Sequence, residues 1–230
     1  MLVKDFLPSK IIFSFDLSWA GKTGVAVIIV SDSSYTLTTS EIKPPSHRGK
    51  VTPLVQVNRA TVYVENLLAV LGGLDDLIKN DTEIVIAYED PTKWLIGAAK
   101  SGYGTKYKKR RRPVTRNSIM GATYPITCLW VAIGQWLAGF EDPDFAVAVR
   151  DVDTRQARKL FGVNDWLNLK DPAGKLLREL EDSRGYADSV KAAVGVAVHY
   201  RLLEDGIDMV PISDHVADAI LFGLVEMDAR

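Results

Sequence analysis

Four carboxylates and one imidazole stand where the chain can bring them to bear on a phosphate: Asp16, Glu89, Asp214, His215 and Asp218. Asp16 closes the β-rich run IIFSFD, and Glu89 follows the apolar run EIVIAY, so each acid sits where a strand gives out. Functional groups of open sheets collect at the carboxyl ends of parallel strands. Asp214, His215 and Asp218 lie in SDHVADAILFGL, at spacings of three and four that share one helical face. Gathered carboxylates repel one another unless a cation compensates, and hard oxygen donors favour Mg²⁺ or Mn²⁺ over softer metals. Two such ions about 3.5 to 4 Å apart activate a water and stabilise both the entering and the leaving oxygen of a phosphodiester displacement. If these side chains converge, metal-dependent phosphodiester hydrolysis is the expected chemistry.

Each acid also has a structural use. Asp16 suits the start of the turn DLSWAGKTG, because aspartate bonds its own backbone there. Glu89 precedes Asp90 and Pro91 at an ordinary strand end, Asp214 suits the N-cap of the last helix, and His215 suits its partly exposed first turn. Asp218 is harder to explain this way. It stands beyond the cap among Val216, Ala217, Ile220 and Leu221, where an unpaired carboxylate is costly. The single cysteine, Cys128, lies in ITCLWVAIGQWL and reads as a buried thiol with no disulfide partner.

The elements that must position these groups follow from periodicity. IIFSFD (11–16), GVAVIIVS (24–31) and YTLTTSEIK (35–43) read as three strands in a meander. Residues 52–71 have helical spacing, while EIVIAYED (83–90) is a continuous apolar run expected in the middle of a sheet. Residues 118–139 read as a long apolar helix and FAVAVRDV (145–152) as a further buried strand. Asp153 or Thr154 caps the helix TRQARKLFG, with Gly162 at its end, and helices follow over 173–183, 186–204 and 214–227. The expected architecture is a mixed sheet with helices packed against it, in one domain.

The net charge of -1 conceals an asymmetry. KSGYGTKYKKRRRPVTR (100–116) holds eight of the 28 basic residues and no acid. Lys100, Lys106, Lys108, Lys109, Arg110, Arg111, Arg112 and Arg116 can neutralise phosphates, while Tyr103 and Tyr107 can stack on bases. A solvated loop or a localisation signal has the same composition, but the position beside Glu89 favours nucleic acid. No run approaches the roughly 20 apolar residues of a membrane span, and MLVKDFLPSK lacks the apolar core of a signal peptide. The expectation is a soluble intracellular protein with no membrane partner.

Taken together, these residues resemble the RuvC family of Holliday junction resolvases, within the ribonuclease H-like superfamily. FSFDLSWAGKTGVAVI is similar to the family's first strand, catalytic Asp and glycine-containing turn; AYEDPTKW is similar to the strand that supplies the second acid. DHVADAILFGL resembles the terminal helix, in which an Asp or His precedes a second Asp by three residues. DTRQARKLFG resembles a basic segment of the family, and Lys191 in DSVKAAV sits near a family lysine. The chain departs from the pattern between Gly97 and Gly121, where the basic segment intervenes.

The resemblance implies an α/β ribonuclease H-like fold over 1–230: a five-stranded mixed sheet of a three-strand meander plus two parallel strands, flanked by helices, to which this chain adds a basic loop at 100–117. It implies catalytic roles for Asp16, Glu89, His215, Asp218 and Lys191, and two Mg²⁺ or Mn²⁺ ions held by Asp16, Glu89 and Asp218 with His215 or Asp214. It further implies a homodimer that resolves four-way DNA junctions. The rival readings are another nuclease or transposase of the same fold, a non-catalytic binder of branched nucleic acid, and an actin-like ATPase. The last is disfavoured because GKT (21–23) lacks the first glycine of a phosphate loop, Asp16 standing in that place.

Overall fold

The structure is a computed structural model that describes residues 8–19, 21–31, 34–44, 52–79, 81–90, 116–140, 145–167, 173–183 and 185–229, with backbone alone at 116–118 and 120. Strand β1 (Lys10–Asp16) pairs antiparallel with β2 (Thr23–Ser31), which pairs antiparallel with β3 (Ser34–Ile42). On its other side β1 runs parallel to β4 (Glu83–Tyr88), and β4 parallel to β5 (Val147–Asp151). The result is an open five-stranded mixed sheet in the order β3-β2-β1-β4-β5.

Alternation along the central strands decides what covers each face. Ile11, Phe13 and Phe15 of β1 share a face with Ile84 and Ile86 of β4. That face is covered by α1 (Pro53–Gly72), through Tyr63, Leu67 and Leu71, and by α2 (Arg116–Leu137), through Leu129, Ala132, Ile133 and Trp136. Thr52 starts α1 by accepting a hydrogen bond from the Val55 N–H, with Pro53 supplying a first residue that has no donor to waste. Ile12, Ala26, Ile28, Val85 and Ala87 point the other way, against α6 (Ser189–Glu204) and α7 (Asp214–Asp228). The short helices α3 (Thr154–Leu160), α4 (Val163–Trp166) and α5 (Ala173–Glu181) complete that layer. Burial on both faces explains why β1 and β4 are apolar almost throughout rather than alternating.

Helix α7 lies close on the sheet, and two glycines permit it. A side chain at Gly24 of β2 would run into the backbone of His215 and Val216, and one at Gly223 into Ile28 and Ser14. Gly24 faces Asp16 across the β1–β2 ladder, so the turn of α7 that rests on it is the turn beside the end of β1.

Two sequence expectations are corrected. Within the run 145–152 the strand is β5, Val147–Asp151, an edge strand of half-buried and exposed residues, because among the described residues β4 is its only sheet neighbour. The last helix is capped by Ser213, whose hydroxyl accepts from the Val216 N–H, while Asp214 is already the first helical residue. Asp153 does cap α3, accepting from the N–H groups of Arg155 and Gln156, and Gly162 takes the left-handed conformation (φ 58°) that ends it. Cys128 is buried, and burial pushes its thiol up to about 11, so it is an inert core group. Among the described residues no helix is long and apolar enough to cross a membrane.

Candidate functional site

The parallel register of β1 and β4 pairs Phe15 with Tyr88, so the next residues, Asp16 and Glu89, leave adjacent strands side by side at the same edge of the sheet. Asp16 is only 8% exposed. The turn that follows it is pinned by Arg59 of α1, whose guanidinium lies 4.8 Å over the Trp19 ring and donates to the Trp19 carbonyl at 3.1 Å. The start of α7 closes over this edge. His215 Nδ1 lies 2.5 Å from Asp16 Oδ2, and its other ring nitrogen lies 3.9 Å from Asp214 Oδ1.

Asp218, one turn further along α7, is 1% exposed and is met by two cations. Lys191 Nζ, from the first turn of α6, donates to Oδ2. Arg158 Nη2, from α3, lies 3.1 Å from Oδ1 and 3.2 Å from Oδ2. The buried carboxylate expected to need a partner therefore has two, both drawn from helices on its own side of the sheet.

The charges are linked. Burial holds the Asp16 carboxyl above its ordinary value and Asp218 adds to this, against the pull of the His215 hydrogen bond and Lys191. Burial also raises Glu89, and the negative charges of Asp16 and Asp218 raise it further. The Thr154 hydroxyl pulls Glu89 the other way, close enough to favour its charged form though it closes no hydrogen bond of ordinary geometry. His215 is raised by its bond to Asp16, outweighing burial, and Lys191 is raised because Asp218 and Asp16 outweigh burial. The edge therefore holds mutually repelling carboxylates offset by an ammonium, a guanidinium and an imidazole biased toward its cation.

Asp16, Glu89, Asp218, His215 and Lys191 are brought to one place, with Asp214 buried behind His215. Among the described residues, however, no group of three or more His, Cys, Asp or Glu side chains is arranged to hold a metal ion. His215 lies against one oxygen of Asp16, and Lys191 and Arg158 lie against the oxygens of Asp218. The donor chemistry still fits a hard divalent cation, because carboxylate oxygens from three elements gather at one edge, where burial first and neighbouring negative charge second raise Asp16 and Glu89.

Sequence reasoning gave no site role to Arg158 or Thr154. They are four apart on α3, so both face the same way, and α3 begins just beyond the end of β5, at the edge where Asp16 and Glu89 lie. That adjacency was the available signal. Lys100, Tyr103, Lys106, Tyr107, Lys108, Lys109, Arg110, Arg111 and Arg112 lie outside the described residues, and Arg116 is described only as the first residue of α2. No protein-family model, curated protein or solved structure matches this chain.

Proposed function

We propose that this protein is a Mg²⁺- or Mn²⁺-dependent endonuclease of the ribonuclease H-like fold that cuts branched DNA, with the four-way junction as substrate and a homodimer as the working form. One observation carries the reading. Acids at the ends of two adjacent parallel strands and a buried acid on the helix that crosses them share a single electrostatic environment. The order of these acids along the chain, and the likeness of their motifs to the RuvC family, support the substrate and the dimer.

Asp16, Glu89 and Asp218 would hold the metal, with His215 or Asp214 completing the set. Bound there, the metal supplies charge neutralisation and water activation for phosphodiester hydrolysis. The chain's own residues do the rest. Rigid strand ends hold Asp16 and Glu89 in place, His215 orients the Asp16 carboxylate, and Lys191 offers an ammonium to the charge that develops on the phosphate. The basic segment 100–116 supplies sequence-independent affinity.

The full pairing of Asp218 with Lys191 and Arg158 favours a second reading, a non-catalytic module that binds branched nucleic acid. One experiment separates the two. Purified protein is incubated with a synthetic four-way junction, a matched duplex and a flap, in Mg²⁺ or EDTA. Symmetric Mg²⁺-dependent nicks confined to the junction, abolished by Asp16→Asn with binding intact, are expected. Binding without cutting establishes the second reading, and equal cutting of all three substrates removes the junction from the proposal.

A further inference from the structure

We infer that Arg158 is a latch on Asp218: a divalent metal ion must displace its guanidinium to reach the carboxylate, and the released guanidinium then binds a backbone phosphate of the nucleic acid. The inference rests on the nuclease reading for its substrate and on the ion-pair geometry for the latch.

Solvent reaches the cations but not the acid. The Asp218 side chain is 2% exposed, whereas those of Arg158 and Lys191 are 26% and 25% exposed. On the side of Arg158 and Lys191, an ion approaching Asp218 from solvent meets the guanidinium and the ammonium before the Asp218 oxygens. One Arg158 nitrogen lies near both oxygens of Asp218, and Lys191 shares one of them, so each oxygen already faces a positive group. A divalent ion at either oxygen is repelled by the cation already there, so metal binding through Asp218 favours the departure of one of them.

Arg158 is the cation with somewhere else to go. Its Nε is buried and makes no hydrogen bond, so the guanidinium is incompletely satisfied where it stands. One turn earlier on the same helix face, the Thr154 hydroxyl is buried and likewise closes no hydrogen bond. Helix α3 thus directs toward the edge of the sheet where phosphate chemistry is proposed a guanidinium with an unpaired Nε and a hydroxyl that lies beside Glu89. A guanidinium presents a planar fork that matches two phosphate oxygens, and a hydroxyl can donate to a third acceptor. Exchange of Arg158 for a divalent ion at Asp218 would also relieve the repulsion among the three carboxylates and place a positive group beside the substrate backbone at the same moment. Metal and substrate phosphate would then favour the same rearranged state, so each should promote binding of the other.

The test uses two binding measurements on the full chain, neither of which depends on turnover. Mn²⁺ is titrated calorimetrically into wild type, Arg158→Ala and Arg158→Lys without nucleic acid, and a fluorescent four-way junction is titrated in Ca²⁺. Loss of the latch should tighten Mn²⁺ binding by about tenfold, the lower end of what groups beside metal ligands usually change. The same substitution should weaken junction binding severalfold, and Arg158→Lys should recover part of both effects. Opposite signs are the signature, because a merely structural arginine would weaken both. If Arg158→Ala does not fold, Arg158→Gln keeps the stem and removes the charge, and the same opposite shifts are expected. Mn²⁺ affinity equal to or weaker than wild type in a folded variant overturns the latch, even where the wild type cuts junctions. Mn²⁺ binding by neither protein overturns the latch and the metal-dependent reading together, whereas binding by the variant alone supports the latch.

Discussion

Replacing Gly24 with alanine probes the contact that seats the candidate site. The new methyl would stand 2.7 Å from the Val216 amide nitrogen and closer still to the His215 carbonyl. The His215 carbonyl oxygen would stand at only 2.0 Å, and comfortable contact for such atoms is about 3.5 Å, so α7 must back away from β2 by roughly 1.5 Å. Both obstacles are backbone, and neither can turn aside as a side chain would. Overpacking costs typically about 1–3 kcal/mol, and a clash with helix backbone belongs at the upper end. At about 3 kcal/mol, a chain of this size should lose roughly 6–12 °C in melting temperature. The displaced turn carries His215 and leads to Asp218; if the protein is the proposed nuclease, a misplacement of about 1 Å or more there should lower the rate about a hundredfold. Thermal unfolding by circular dichroism reads the first effect and metal-dependent nicking the second. Gly134→Ala in α2 is the control, since its added methyl meets nothing within 4 Å. It should stabilise the protein by about 0.5–1 kcal/mol through the helix preference for alanine. A Gly24→Ala protein that melts with the wild type would refute the close seating of α7.

Ser213→Ala removes both the cap of α7 and the 2.6 Å hydrogen bond from the Ser213 hydroxyl to Glu41 Oε1. Glu41 keeps its ion pair with Lys22, so the expected loss is about 1–2 kcal/mol, read as a lower midpoint in urea with an unchanged slope. For pH, the sign follows from Asp16 and Glu89, which burial holds above their ordinary values and which therefore keep their protons to higher pH than free carboxyls. Metal ligation requires the deprotonated form, so Mn²⁺ affinity should fall with decreasing pH before the ordinary carboxylate range is reached. An acid limb within that range would contradict the burial of these groups. Asp205 should behave oppositely. Burial raises it, but hydrogen bonds from Arg201 and Tyr35 outweigh burial and hold it low, so its contribution to stability is present above the unfolded carboxyl value and is lost as pH falls through the folded one. Asp205→Asn should flatten the acid limb of a melting-temperature profile, and an unchanged limb would show that the pair adds nothing.

Local pattern carried much of this protein. The runs ending at Asp16 and Glu89 announced buried strands because both faces of the central sheet must be apolar, and the helical spacing of 214–227 placed Asp218 on the inner face of α7. The edge position of β5 was not legible, since an apolar run of five or so residues reads alike in the middle of a sheet and at its border until its neighbours are known. Ser213 and Asp214 are both good caps, and only the hydrogen bond to Val216 decides between them. Sequence also put the acids in order without saying what would neutralise them. Arg158 lies 60 residues from Asp218, and Lys191 lies 27. Periodicity reports which face of its own element a side chain occupies; which cation meets which carboxylate depends on how three helices pack against one another, and the tertiary structure alone decided that.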